Sequence, residues 1–584
     1  MVQKQIIRAT SHASEIQSVL KSLAQQSYEQ LLWCKDPRPW NQDAQGAEVI
    51  RQRLGWLDSV PKMIEQADEF INFADTVRNA GFKDVVLMGM GGSSLSAEVS
   101  KLTFGGVQGY PRLHILDTTI PQSVLAVEHE VDLGTTLFIA SSKSGTTVEV
   151  LSAMKYFLSK VEEVIGRNSG RNFVCITDPG TPLEEQARSL GFRKIFAGMP
   201  DVGGRYSALT PFGLVPAAVI GADIRRMLAS AADMMEACGP NVRPEDNPAM
   251  ELGAVMASLA RSGRDKLTLI LSPEISSFGS WIEQLVAEST GKHGLGILPV
   301  DGEPIGDPCV YGEDRFFVYV KVGARSVWDE QVATLERHGF PVVTIIMDDI
   351  YDLGAEYYRW MMATATACAV LGINPFDQPN VQESKDNTKQ LIKDYEQKGC
   401  LPEVQPVVEC SGIKVYCNEF STAGAGDELV SNPDDHTLLS EYLRAHLMRF
   451  KKGGYFALLA FLPPLPQVDA ALEQIRVILR DKYFAVCTKG YGPRFLHSTG
   501  QYHKGGPRNG VFIQLTADSE EDAPIPGEKY TWAILSAAQA LGDFRALASK
   551  SNPILRLHLG SDVVGGLQIV VDAVRRAAKD KHRE

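Results

Sequence analysis

The chain is poor in cysteine, has no long apolar run and carries no excess of positive charge, and each absence removes a class of function. Its 9 cysteines lie scattered over 584 residues. No Cys-x-x-Cys pair and no Cys/His group at zinc spacing occurs, which argues for reduced thiols and against a disulfide scaffold or zinc module. No stretch approaches the roughly 18 uninterrupted apolar residues of a membrane-spanning helix. The opening residues, Met-Val-Gln-Lys-Gln-Ile-Ile-Arg, lack the apolar core of a secretory signal. A formal net charge of -13 disfavours nucleic acid and anionic membranes as partners but leaves room for a local basic pocket. A cytoplasmic protein with neither partner is expected.

What is present points to several α/β units. The length suggests about three or four domains. Residues 1–80 read as a helical segment, with Ile16, Leu20, Leu23, Leu31 and Leu32 near helical spacing. From Asp84 the pattern changes to apolar strands alternating with helices. The most informative stretch is Thr136-Leu-Phe-Ile-Ala-Ser-Ser-Lys-Ser-Gly-Thr-Thr-Val-Glu-Val150. It reads as a buried strand, a tight loop and a helix start, where unpaired backbone N–H groups and the helix dipole suit an anion. Ser142, Ser144, Thr146 and Thr147 add hydroxyls and Lys143 a charge, so the loop reads as a phosphate cradle. The same residues also suit a plain helix cap.

A second turn, Gly89-Met-Gly-Gly-Ser-Ser94, also follows an apolar strand. It brings a dinucleotide site to mind, but Ser94 stands where that fingerprint needs Gly or Ala. Both loops sit at carboxyl ends of strands, where open α/β sheets bind ligands. Further along, Gly203 and Gly204 precede Arg205, a planar, permanently charged donor able to face an anion. Read alone, Arg205 is more often a solvated surface residue after a turn. Ser280 to Val286 reads as a helix and Glu288-Ser-Thr-Gly-Lys292 as a loop; an isolated Glu is usually a surface carboxylate, but the apolar Leu285-Val286-Ala287 before Glu288 and the glycine loop around it suit a general base.

Taken together, these motifs resemble the sugar isomerase (SIS) fold, and specifically the glucose-6-phosphate isomerases. Ser-Ser-Lys-Ser-Gly-Thr-Thr is similar to that family's phosphate loop, the segment from Asp201 to Gly213 closely matches one family signature, and Pro375 to Lys385 resembles the second, with Pro379 and Asn380 as departures. The resemblance implies roles. Gly92 and Ser93 approach the sugar; Ser142, Lys143, Ser144, Thr146 and Thr147 hold the phosphate; Gln378 contacts it, and Gln284 positions substrate. Glu288 is the catalytic base, Arg205 stabilises the enediolate, and Lys385 contacts the ring oxygen. Leu496-His-Ser-Thr-Gly-Gln501 resembles the motif whose histidine opens the ring, a task that suits a side chain titrating near neutrality. His497 is therefore expected to open the ring, with His293 and His503 as alternatives.

The order Glu288, Lys385, His497 departs from the family's usual Glu, His, Lys. It resembles the isomerase part of fused transaldolase–isomerase proteins, although residues 1–80 are expected to leave no room for a transaldolase. Residues 455–464 echo the strand beginning at Leu267, Ser498-Thr-Gly-Gln echoes Ser289-Thr-Gly-Lys, and Glu528-Lys-Tyr-Thr-Trp532 echoes Glu356-Tyr-Tyr-Arg-Trp360, suggesting an internal duplication. The expected organisation is a helical segment 1–80, a first SIS domain 81–220, a second 221–395, a linker 396–449 with turn signals at Gly424-Ala-Gly426 and Asn432-Pro-Asp-Asp, and a third SIS-like module 450–584.

The expected activity is interconversion of glucose 6-phosphate and fructose 6-phosphate, with a sugar phosphate as the small-molecule partner and no cofactor or metal. The alternatives are a dual phosphoglucose/phosphomannose isomerase and a non-catalytic sugar-phosphate sensor. If the third module supplies His497 within one chain, a monomer suffices; otherwise a homodimer is required.

Overall fold

The computed structural model describes residues 4–40, 42–418, 421 and 435–578. The turn signals at Gly424–Gly426 and Asn432–Asp434 lie outside these residues. No helix of the described residues is long and apolar enough to cross a membrane.

Three sheets organise the chain. The first holds β2 (Asp84–Met88), β3 (Arg112–Leu116), β4 (Thr136–Ser141), β5 (Phe173–Thr177) and β6 (Lys194–Ala197) in the order β3-β2-β4-β5-β6, every pairing parallel. β2, β4 and β5 are buried at every position, as sheets covered by helices on both faces require. The connection reverses direction between β2 and β4, so the Gly89 turn and the Ser142 loop flank the crevice where such sheets bind ligands.

The second sheet holds β7 (Lys266–Leu271), β8 (Leu298–Val300), β9 (Arg315–Val322) and β10 (Val342–Met347), all parallel and ordered β8-β7-β9-β10. Its edge is covered by β1 (Lys4–Arg8), which pairs antiparallel with β10. The first eighty residues are thus mainly helical, as expected, but open with a strand that the helical spacing did not disclose. Only five residues long, it carries too short a pattern to be read.

The third sheet repeats this plan. Its strands are β11 (Val408–Cys410), β12 (Ile413–Cys417), β13 (Tyr455–Phe461), β14 (Val486–Tyr491), β15 (Gly510–Thr516) and β16 (Ile554–His558). The order β14-β13-β15-β16 is parallel and matches β8-β7-β9-β10, with an antiparallel strand, β12, again added beside the last parallel strand and β11 beyond it at the edge. β13 therefore corresponds to β7, as the echo between their sequences suggests. The other two echoes do not correspond. Ser289 lies between the first and second strands of its sheet and Ser498 between the second and third; Glu356 follows the fourth strand and Glu528 precedes it. The similarity resides in topology rather than in those motifs. β11 and β12 also place part of the stretch set apart as a linker within the third sheet.

The third module has a core of its own but is not free-standing. Ala523, Ile525, Tyr530, Trp532 and Leu535 join a cluster with Phe138, Tyr156 and Phe157 of the first module. Tyr455, Phe495 and Tyr502 join another with Ala287, Leu298 and Val300 of the second. Trp532 is fully buried there, its ring edge-on to Tyr156 at 6.1 Å. Trp532→Ala is expected to cost about 3–5 kcal/mol by deleting a large buried ring that cannot be refilled. Urea unfolding measures this, and a loss under about 1 kcal/mol would contradict an intermodular core at this position.

Candidate active site

The site is assembled where the three modules meet. From the second module comes the helix Phe278–Thr290, which carries Gln284 and Glu288. Glu288 thus lies in a helix's last turn rather than in a loop. The helix persists because the Thr290 hydroxyl donates to the Val286 carbonyl at 2.8 Å and accepts the Ile297 N–H at 2.9 Å. Gln284 and Glu288, one turn apart, share a face, and the Gln284 amide donates to Glu288 Oε2 at 3.2 Å.

The other Glu288 oxygen faces Arg205 Nη1 at 3.2 Å, and both side chains are buried. The guanidinium is held on every side. Nε donates to Ser289 Oγ at 2.9 Å, Nη1 to Gln378 Oε1 at 3.0 Å, and Nη2 to the carbonyls of Pro375 and Asp377 at 2.5 and 3.0 Å. Gln378 is therefore placed on Arg205. It precedes the helix Pro379–Lys398, whose first residue is a proline, a position where the missing N–H costs nothing.

The first module contributes its two loops. Gly91 has φ +54°, and a Cβ there would lie 2.7 Å from Gln284 Nε2 and 2.9 Å from the His497 carbonyl oxygen. A Cβ on Gly92 would meet the Gly204 carbonyl oxygen at 2.1 Å. The glycine turn thus permits close approach to both the arginine and histidine segments. Ser93 is buried, and its carbonyl accepts the Ser141 hydroxyl at 2.9 Å. In the second loop, Ser142 and Thr147 hydroxyls pair at 2.9 Å and those of Ser144 and Thr146 at 3.1 Å. The Lys143 ammonium turns away to Asp178 at 2.6 Å and the Met199 carbonyl at 2.7 Å; burial, opposed by Asp178, holds its pKa below the usual lysine range.

The third module brings His497. Its carbonyl accepts the Gln284 amide at 2.7 Å, and its Nε2 lies 3.2 Å from Glu149 Oε1. Glu149, in the first turn after the phosphate loop, also accepts from Gln539 Nε2 at 2.8 Å, and Gln539 in turn accepts the Thr119 hydroxyl at 2.6 Å. Burial pushes the Glu149 carboxyl upward, but the charge and hydrogen bond of His497, aided by Lys385, outweigh it and hold the group below its usual value.

Ser144, Thr146, Thr147, Glu149, Lys385 and His497 line one cleft of about 470 Å³, a volume suited to a small metabolite. Lys385, Lys389 and Lys393, at helical spacing, give it a basic wall. Arg205, Glu288, Gln284 and Gln378 form the adjoining hydrogen-bonded cluster, and the Gln284–His497 bond joins the two. The alternative histidines are placed elsewhere. His503 is buried, 3.0 Å from the Tyr455 hydroxyl, and burial with neighbouring Lys504 pushes its pKa down to about 3. His293 is exposed in a left-handed turn at φ +56°. Neither lines the cleft.

Glu149 and Gln539 were not singled out by sequence reasoning. A carboxylate in an apolar helix directly after the phosphate loop was the available signal for Glu149; nothing local marked Gln539. Lys292 was missed as well. It is fully buried between the Asn374 carbonyl at 2.5 Å and Asp377 at 2.8 Å, and burial with the adjacent Arg205 pushes it down to about 8. Among the described residues no group of three or more His, Cys, Asp or Glu is placed to share a metal ion.

Fold and site together define an α/β protein of three parallel-sheet modules that meet at one cleft. A solved structure from Thermus thermophilus, described as a hypothetical protein, shares the fold with a TM-score of 0.57 at 24% identity, over 66% of this chain and 99% of its own. Residues 44–339, about half the chain, match the family described as phosphoglucose isomerase, and the chain belongs to that family. A glucose-6-phosphate isomerase of Carboxydothermus hydrogenoformans is 28% identical over 385 residues, 56% of this chain and 82% of the relative. One from Methanocaldococcus jannaschii is 27% identical over 349 residues, 54% of this chain and 85% of the relative.

The Glu149 contacts have a pH signature. A carboxyl held below its usual value of 4.5 adds stability that is complete above the unfolded-state pKa and is lost as pH falls through the folded one. The stability gap between wild type and Glu149→Gln is expected to be full above about pH 5 and to shrink on acidification. Denaturant unfolding over that range measures it; a gap independent of pH would contradict a Glu149 carboxylate held ionised by its surroundings.

Proposed function

We propose that this chain interconverts D-glucose 6-phosphate and D-fructose 6-phosphate, as an aldose–ketose isomerase acting through a cis-enediolate. The observation that carries the reading is the meeting, in a chain of the phosphoglucose isomerase family, of the Glu149–His497 pair and the Glu288–Arg205 pair at Gln284, beside the hydroxyl-rich loop.

The phosphate dianion is anchored by the backbone amides at the start of the helix Val148–Ile165 and by the hydroxyls of Ser142, Ser144, Thr146 and Thr147. Those hydroxyls now pair with one another and turn to the anion when it arrives. Lys143 acts through its backbone, since its ammonium is committed to Asp178. Ring opening breaks the bond between carbon 1 and the ring oxygen. Glu149 accepts from His497 Nε2 and so leaves Nδ1 as the acceptor that takes the proton of the carbon 1 hydroxyl, while Lys385, at the ring oxygen, gives that oxygen a proton as it leaves carbon 1. Glu288 then moves the proton between carbon 2 and carbon 1. As negative charge develops on the enediolate, Arg205 opposes it from a guanidinium already fixed by four neighbours, so little reorganisation is needed in the transition state.

The test is a coupled assay in which fructose 6-phosphate turnover is read through glucose-6-phosphate dehydrogenase. Glu288→Gln keeps shape and is expected to lose turnover by at least about 10³-fold with substrate binding retained, in line with removal of a general base. Substantial residual activity would mean that another group is the base. His497→Ala is expected to impair ring-closed substrates more than an open-chain one; equal losses would count against a ring-opening role.

A further inference from the structure

Three residues before His497, on the same short 3-10 turn Arg494–His497, Arg494 reaches into the first module. Nη1 donates to Glu98 Oε1 at 3.0 Å, Nη2 contacts the other Glu98 oxygen, and Nε lies 3.2 Å from Asp117 Oδ2. Glu98 belongs to the helix that follows the Gly89–Ser94 turn, and Asp117 follows β3. The same Asp117 oxygen accepts the Ser94 hydroxyl at 3.3 Å. A bidentate, planar guanidinium fixes direction as well as distance, which a lysine ammonium cannot do. The charges of Glu98 and Asp117 also hold the Arg494 pKa above its usual range despite burial.

We infer that Arg494 is a positioning residue for His497: by bridging Glu98 and Asp117 it sets where the third module presents the imidazole against the glycine turn and Glu149. The inference rests on the ring-opening role proposed for His497. The turn is held at both ends, by Arg494 on the first module and by Gln284 on the His497 carbonyl. Gly91 lies against the His497 Cβ side, where no extra atom fits. A change in the angle at which the turn docks therefore moves the ring relative to Glu149. Arg494 touches none of the reacting groups, so its loss is expected to separate ring opening from proton transfer.

The test compares Arg494→Lys, Glu98→Gln and His497→Ala in the full chain. Two activities are read: turnover of fructose 6-phosphate, which needs ring opening, and deuterium exchange at carbon 2 of erythrose 4-phosphate, which cannot cyclise. Arg494→Lys is expected to lose at least about tenfold in the first and less than about threefold in the second, with Glu98→Gln showing a smaller loss of the same pattern, as expected for a displaced catalytic group. The double variant Arg494→Lys/His497→Ala is expected to be no worse than His497→Ala, because the two act as a unit. Equal losses in both activities, or additive losses in the double variant, would overturn the inference and leave Arg494 a structural ion pair. If wild type fails to turn over fructose 6-phosphate, the isomerase reading fails on its own. Nitrogen NMR of the His497 ring then decides for Arg494, since ring signals unchanged by Arg494→Lys and by Glu98→Gln would overturn its positioning role.

Discussion

The arrangement depends on one side-chain amide. Gln284 Nε2 donates both to the Glu288 carboxylate of its own helix and to the His497 carbonyl of a different module. Through that shared donor, the group that would move the proton and the group that would open the ring are held at a fixed relation. The glycine turn makes the contact possible, because any side chain at Gly91 would occupy the space where Gln284 and His497 meet.

Burial sets the energetic stakes. Arg205 and Glu288 are both withdrawn from water, and a buried ion pair is a poor source of net stability, while loss of one partner costs about 3–5 kcal/mol. The additional bonds from Arg205 to Ser289, Gln378 and two carbonyls satisfy the guanidinium and fix its direction. The same reasoning covers Gln501, whose amide bridges the Gly291 carbonyl and Asn380 at 2.9 Å each, while its own oxygen accepts the Asn380 N–H at 3.0 Å. The third module thereby ties the end of the Glu288 helix to the start of the Lys385 helix. It completes the site by docking, through two mixed apolar clusters and a few buried polar links.

Much of this was legible in the sequence, for identifiable reasons. Strongly patterned segments announced themselves: the strand–loop–helix around Ser142 was evident because an apolar run gives way to small hydroxyl residues. The short strand β1 was not legible, since pairing with β10 across more than 300 positions leaves no local trace. Glu288 was misplaced into a loop because Ser-Thr-Gly reads as a turn, whereas the Thr290 hydroxyl extends the helix. The roles of Glu149, Gln539 and Arg494 depend on which modules touch, which no spacing within one segment encodes. Two of the three internal echoes misled because short motifs recur by chance, while the strand order common to the second and third sheets is a property of the whole chain path.

The measurement that bears most directly on a site built by one chain is complementation. Glu288→Gln and His497→Ala chains, each expected to fall far below wild-type turnover, would be co-expressed with different tags, any mixed species purified through both, and fructose 6-phosphate turnover measured in the co-expressed pool and in that species. A site in which Glu288 and His497 belong to the same chain predicts no recovery, because every site in the mixture keeps one lesion. Recovery to a substantial fraction of wild-type turnover would show that His497 crosses between subunits, and would contradict the in-chain assembly of the three modules.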